Sequence, residues 1–332
     1  MKKILFAATA FIAIAGMAAA EVDVTIKGYG RFGVGYHEDR ATNVDGAAPD
    51  VSDTILVSRF RLNIDGITET DSGVKFEARV RLQADGDNKT GEAKKAGFNG
   101  ARFSVSYGGF RTDVGNVGDA FTNLANFYGT EPGLENFAAQ YSGVDYGVQH
   151  YSSGGAGSNA LYFSYGVGGF SFAGAYDQQS FDADKPNEST PGDSWSFNVA
   201  YKFNNITLAV AHGQTDKSIG DDDNLTVLTL GGEWDGFSGS LFVAEDDVNT
   251  ASGKAGGNGT AYGVSGAFEV GTATSLKFAY GDGSAQADAR HLGVGFVHDL
   301  GGGASLRGGV GQIKAGDADS IIKSDFGVQF NF

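Results

Sequence analysis

The chain is 332 residues long and strongly acidic, with 40 aspartates and glutamates against 24 lysines and arginines and a formal net charge of −16. That balance excludes a nucleic-acid surface, which needs basic patches to displace counterions from phosphate. The lack of cysteine excludes a disulfide scaffold, and 53 glycines beside only 4 prolines favour strands and tight turns, since proline removes a ladder donor and glycine admits turns.

Met1, Lys2 and Lys3 open the chain with positive charge, residues 4–17 are apolar, and Ala18, Ala19 and Ala20 precede Glu21. This order predicts a secretory signal peptide over 1–20, cleaved between Ala20 and Glu21. Residues 21–332 contain no apolar run near the ~18 residues of a helical span. A membrane home therefore demands a closed β-barrel, the remaining structure that satisfies every backbone group in lipid.

Alternation with a period of two predicts sixteen strands, at 22–36, 54–65, 73–84, 100–107, 110–117, 160–167, 170–177, 194–203, 206–215, 223–235, 237–246, 259–270, 274–282, 290–299, 304–313 and 321–332. The connections at 66–72, 108–109, 168–169, 204–205, 236, 271–273 and 300–303 are short, and those between them are mostly longer and polar. Short turns at one end and long loops at the other are the plan of bacterial outer-membrane barrels, and an even strand number returns both termini to the short-turn side. Sixteen strands enclose an aqueous channel rather than a packed interior. The expectation is one all-β domain over 21–332, a 16-stranded antiparallel transmembrane β-barrel. In the last strand Ser324, Phe326, Val328, Phe330 and Phe332 share one face and Lys323, Asp325, Gln329 and Asn331 the other. Closing this strand against the first removes both sheet edges.

The first five strands set apolar rows against charged ones. Lys27 and Arg31 alternate with Ile26 and Phe32, Arg59 and Arg61 with Phe60 and Leu62, and Lys75, Arg79 and Arg81 with Phe76, Ala78 and Val80; Arg102 and Arg111 follow in the next two strands. A charge on the lipid face costs about 2–4 kcal/mol at the midplane, so these rows are assigned to the lumen. Thirteen of the basic residues fall between Lys27 and Arg111, which predicts a basic wall. The plainer reading is that any wet lumen tolerates charge, with Asp65, Glu77 and Asp113 neutralising part of it. The longest connection, 118–159, carries Asp119, Glu131, Glu135 and Asp145 among Phe121, Leu124, Phe127, Tyr128, Leu134 and Phe137. Loops of this length are functional or disordered, and the aromatic content predicts packing.

Other motifs carry less. Residues 28–33 match the dinucleotide fingerprint G-x-G-x-x-G, but inside one alternating strand with no helix to follow. The five histidines form no metal-type pair, and no hydrolase signature is present. The acidic clusters Asp221-Asp222-Asp223, Glu245-Asp246-Asp247 and Asp317/Asp319 fall in outer loops and are either solvated charge or Ca²⁺ ligands.

The segments EVDVTIKGYGRFGVGY, TETDSGVKFEARVRLQA, FRTDVGNVGDAF, DLGGGASLRGGVG and DFGVQFNF resemble the general-diffusion porins of α-proteobacteria, the Rhodobacter type. The resemblance implies a homotrimeric sixteen-stranded barrel in the outer membrane of a Gram-negative bacterium, with the third long loop (118–159) folded inward to narrow the pore. It implies passive diffusion of ions and small hydrophilic solutes, with no enzymatic activity and no required cofactor. On it, Asp119, Glu131, Glu135 and Asp145 face Lys27, Arg31, Arg59, Arg61, Lys75, Arg79, Arg81, Arg102 and Arg111 across a constriction. It further implies contact with lipid and lipopolysaccharide, which Ca²⁺ would bridge, and recognition of Phe326, Val328, Phe330 and Phe332 by the barrel-assembly machinery. A sugar- or anion-selective channel and a non-conducting barrel adhesin are the alternatives; Tyr29 and Tyr162 are too few for a sugar track. A secreted soluble β-protein would not carry so aromatic an exterior.

Overall fold

A computed structural model describes residues 22–38, 40, 52–87, 90–178, 191–218, 220–248, 257–283, 289–316 and 318–332. The expected signal peptide at 1–20, its cleavage point at Ala20/Glu21, and Asp317 lie outside them. The strands are β1 (Val22–His37), β2 (Thr54–Glu69), β3 (Lys75–Asp85), β4 (Gly97–Phe98), β5 (Arg102–Tyr107), β6 (Phe110–Gly115), β7 (Ala160–Val167), β8 (Phe170–Asp177) and β9 (Pro191–Phe203). They continue as β10 (Ile206–Lys217), β11 (Asp223–Trp234), β12 (Phe237–Val248), β13 (Gly257–Val270), β14 (Thr274–Gly283), β15 (Arg290–Gly301), β16 (Ala304–Lys314) and β17 (Ile321–Asn331). Sequential neighbours pair antiparallel and β1 also pairs with β17, so the sheet is a closed barrel of sixteen staves.

The seventeenth element arises because one stave is broken in two. Both β4 and β5 pair with β3, end to end. Between them the Asn99 side chain enters the ladder: its Oδ1 accepts the Arg81 amide at 2.7 Å, while its Nδ2 donates to the Tyr151 hydroxyl and the Ser152 carbonyl, each at 2.7 Å. The strand expected at 100–107 is therefore interrupted at its upper end. The strand expected at 110–117 stops at Gly115, whose φ of 100° turns the chain out of the sheet.

Closure rests on the last residue. The Gly28 amide donates to the Phe332 carbonyl at 2.8 Å and the Phe332 amide returns a bond to the Gly28 carbonyl at 3.0 Å. The register then runs from Tyr29 opposite Asn331 to His37 opposite Lys323. The Phe332 ring stacks on Phe60 at 5.9 Å, on the outer face.

Outward positions carry the large apolar residues: Phe32, Leu56, Phe103, Leu208, Leu241 and Phe326 are all exposed on the barrel wall. Aromatics flank the short turns, Tyr107 with Phe110 and Trp234 with Phe237, as in a girdle at a membrane interface. No helix among the described residues is long and apolar enough to cross a membrane, and the strands make the crossing instead.

The core lies inside the barrel, between its wall and the stretch 116–159. Phe121, Leu124, Phe127 and Tyr146 of this stretch are buried against Ala200, Ala209, Ala211, Leu225, Val227, Phe242, Ala244 and Ala261 of β9–β13, and Leu134 is buried against Ile55 and Val57 of β2. Each fully buried large side chain contributes about 1.5–3 kcal/mol. The seat exists because many inward positions from β9 round to β1 are alanine, serine or glycine. Inward glycines continue the seat along β15, β16, β17 and β1, where Gly293, Gly309, Gly327 and Gly33 pack against Pro132, Gly133 and Leu134.

At Gly293 a Cβ would stand 2.7 Å from the Ala138 Cβ and 2.9 Å from the Pro132 Cγ, both atoms of the loop. Gly293→Val is expected to leave the barrel ladder intact while lifting the 130–138 stretch from the wall. Limited chymotrypsin digestion checks this: cleavage at Phe137 should accelerate in the variant while the rest of the barrel stays resistant.

Candidate functional site

Registered pairing sets the charged wall. Arg31 stands opposite Arg59, Tyr29 opposite Arg61, Asn63 opposite Arg81, Asp65 opposite Arg79, and Arg79 opposite Arg102. Cross-strand side chains lie close enough to pair, so each charge meets a neighbour set by register. Arg59 Nε donates to Asp85 Oδ1 at 2.5 Å, and Arg79 forms a bidentate pair with Asp65. Arg102 Nη2 donates to Glu77 Oε1 at 2.8 Å, and Arg111 pairs with Asp113 at 2.8 Å. Bidentate guanidinium–carboxylate pairs are geometrically rigid, so the wall holds fixed dipoles.

Arg61 and Arg81 have no carboxylate within ion-pair distance among the described residues; they bond Gln83, Asn63 and Ser153. Lys27 is in register with Asn63, on the rung of Arg81, and Lys75 with Glu69 and Ser106 beside the short turn. Of the nine basic residues expected at the constriction, the seven arginines form one contiguous field, and Lys75 stands apart from it beside the turn.

The loop begins and ends in a clasp. The Asn116 side chain is buried, donating to the Gly100 and Ser152 carbonyls and accepting the Ser152 amide. Asp119 accepts the Thr122 amide at 2.8 Å on one oxygen and the Gln149 amide at 2.7 Å on the other. Its carboxylate is thus spent inside the loop root, away from the arginines. Burial pushes the Asp119 carboxyl up to about 6, against the opposing pull of those amides.

Farther along, the loop's backbone finds partners on the small inner wall. Gln140 is fully buried, donating to the Asn126 and Phe127 carbonyls and accepting the Ser240 and Ser265 hydroxyls. The Thr229 hydroxyl and Asn198 amide donate to the Ala125 and Ala120 carbonyls. These contacts satisfy backbone groups that burial would otherwise strand at about 1–3 kcal/mol each.

The other three expected acids occupy different places. Glu135 alone meets the basic wall, 3.9 Å from Arg31 and 3.5 Å from His37. Glu131 accepts the Tyr141 hydroxyl at 3.0 Å, and Lys277 of β14 approaches its backbone carbonyl at 3.4 Å. Burial raises the Glu131 carboxyl, the Tyr141 bond opposing it. The Asp145 amide donates to Asp246 of β12 at 2.6 Å, which places Asp145 on the wall opposite the arginines. Among the described residues, Glu135 alone of Asp119, Glu131, Glu135 and Asp145 has an arginine within ion-pair distance.

Several working residues escaped sequence reasoning. Asp325 of β17 accepts the Leu134 and Glu135 amides at 2.8 Å each, and Arg31 Nη1 donates to the Leu134 carbonyl at 2.7 Å, so the loop tip is held by one acid and one base. Asp325 does occupy an inward position in the terminal alternation, which was the available signal. Tyr151, under Arg81 at 4.7 Å and Arg102 at 5.7 Å, has no local signature. For a metal the residues fit poorly: Asp223 pairs with Lys217 at 2.7 Å, Asp222 accepts the Gln214 side-chain amide and the Lys217 backbone amide, and no three acidic or histidine groups converge among the described residues. No role is derived for Ca²⁺.

The pattern describing Gram-negative porins matches residues 7–318. A porin of Fuscovulum blasticum is 31% identical over 316 residues, covering 93% of this chain and 100% of that protein. Among solved structures, a mutant of the Rh. blastica porin is 27% identical with a TM-score of 0.72, and a triple mutant of the Rhodopseudomonas blastica porin is 26% identical with a TM-score of 0.71; each covers 93% of this chain and 100% of its own.

A carboxyl raised on folding stabilises fully below its unfolded value and loses that contribution as pH climbs through the folded one. For Asp119 the window is from about 4 to about 6, and the loss is at most about 3 kcal/mol. Asp119→Asn is expected to flatten the decline in thermal unfolding midpoint between pH 4 and pH 7, as measured by scanning calorimetry in detergent.

Proposed function

As the chain belongs to the Gram-negative porin family, we propose that ions and small hydrophilic solutes diffuse across the outer membrane through the gap between the arginine field of β1–β6 and loop 116–159. The supporting observation is the division of the lumen: one half is filled by a loop seated on small residues, and the other is left lined by charge. The loop fixes the aperture, and the wall fixes the field inside it. A low-dielectric throat strengthens that field relative to bulk water. The relatives are channels, and no chemical step is assigned to any residue.

The same reading includes removal of residues 1–20 at Ala20/Glu21 and self-association as a trimer, as the family resemblance implies. It gives the outward row Phe326, Val328, Phe330 and Phe332 a part in recognition by the barrel-assembly machinery, and the outer loops a part in contact with lipopolysaccharide. Support for the assembly role comes from the reciprocal Gly28–Phe332 bonds, without which β1 and β17 begin their pairing unanchored. Deleting Phe332 is expected to lower the yield of heat-modifiable, folded barrel in outer-membrane fractions, read by semi-native electrophoresis.

Charge pairing predicts which neutralisations matter. Removing the matched couple with Arg79→Gln and Asp65→Asn together leaves the net field unchanged and should leave selectivity close to wild type. Arg61→Gln with Arg81→Gln removes uncompensated charge and should raise the cation-to-anion permeability ratio; Glu135→Gln should lower it. Reversal potentials in planar bilayers under a salt gradient check all three, and every shift should shrink near 1 M salt, where the Debye length is about 3 Å.

A further inference from the structure

Arg31, Arg59, Arg79, Arg102 and Arg111 each have a carboxylate within 3.9 Å. Among the described residues Arg61, Arg81 and Arg307 have neutral partners only, and the first two meet at one group. Arg61 Nε donates to Gln83 Oε1 at 2.6 Å and Arg81 Nε to Asn63 Oδ1 at 2.7 Å, which fixes the planes of both guanidiniums. One terminal nitrogen of each then converges on a single oxygen: Arg61 Nη2 lies 3.3 Å, and Arg81 Nη1 2.7 Å, from Ser153 Oγ. Each guanidinium also covers a tyrosine ring, Tyr29 at 5.2 Å and Tyr151 at 4.7 Å.

The charged nitrogens left over in this arrangement are donors. Both lone pairs of the Ser153 hydroxyl are taken by guanidiniums, so its proton is free to donate. Arg61 Nη1 and Arg81 Nη2 have no protein acceptor among the described residues. Two cations sharing one neutral hydroxyl repel each other, and an anion seated between them relieves that repulsion while accepting charge-assisted bonds. The stacked rings hold the forks in place beforehand, so little ordering remains to be done on binding.

We infer that Arg61, Arg81 and Ser153 form a saturable station for one small oxyanion, the phosphate or carboxylate group of a solute in transit. The inference rests on the diffusion path proposed above and adds a binding step to it.

The test is chloride conductance of the purified protein in planar bilayers at constant ionic strength, with inorganic phosphate titrated in one arm and acetate in another. Conductance is expected to fall along a saturating curve in at least one arm, and which arm saturates tells phosphate from carboxylate. Arg61→Gln with Arg81→Gln should raise the half-saturating concentration by about tenfold or more, the worth of one charge-assisted bond. Ser153→Ala keeps both charges and should raise it several-fold, which a diffuse field would not do. Linear dependence in both arms, or unchanged saturation in Ser153→Ala, overturns the station while the chloride conductance still upholds the diffusion path. If the folded wild type passes no current, the diffusion path fails instead, and phosphorus-31 and acetate proton line broadening on the detergent-solubilised protein decides the station: broadening lost in Ser153→Ala supports it, and no broadening overturns it.

Discussion

Everything in this molecule depends on completing one hydrogen-bond ladder. Lipid offers no partner to a backbone amide or carbonyl, so a sheet that crosses it must close. Closure here is the meeting of β1 and β17, begun by the reciprocal bonds between Gly28 and Phe332. Once it is made, alternation sends every second side chain outward to lipid and the others into a single enclosed volume.

That volume is too wide for side chains to fill. The chain resolves the surplus unequally, lining much of β9–β17 with alanine, serine and glycine and laying loop 116–159 upon that wall. Buried loop backbone would be costly, and the wall answers with hydroxyls and amides from Ser196, Asn198, Thr229, Ser240 and Ser265 at the points where the loop needs them. The opposite side keeps arginines whose carboxylate partners come mostly from the same wall. A field that is largely self-compensated can be strong at short range without making the pore a trap for every anion.

Strand alternation made much of this legible. The apolar rows of β1, β2, β3 and β17 stand on the expected face, and the long connection before β7 packs as its aromatics implied. Pairings between distant residues were hidden, because they depend on barrel register and on where a loop lands. Asn99 reads as an ordinary loop asparagine and becomes a ladder insert; Asp325 reads as one more lumen acid and becomes the anchor of Leu134 and Glu135. The expected opposition of four loop acids to the arginines could not be resolved from composition, since a carboxylate turned toward its own loop, as Asp119 is, has the same sequence appearance as one turned toward the pore.

The seam between the first and last strands is also shorter than β1 itself. Pairing with β17 begins at Gly28, so residues 22–27 have β2 on one side and no strand on the other among the described residues. This is a six-residue template at the short-turn rim, with its amides and carbonyls already in extended register. Peptide fused after Phe332 would meet that template at once and be drawn along it as added strand. A tag placed there therefore lengthens the barrel wall instead of hanging free, and its first residues inherit the same inside-outside alternation as the rest of the sheet.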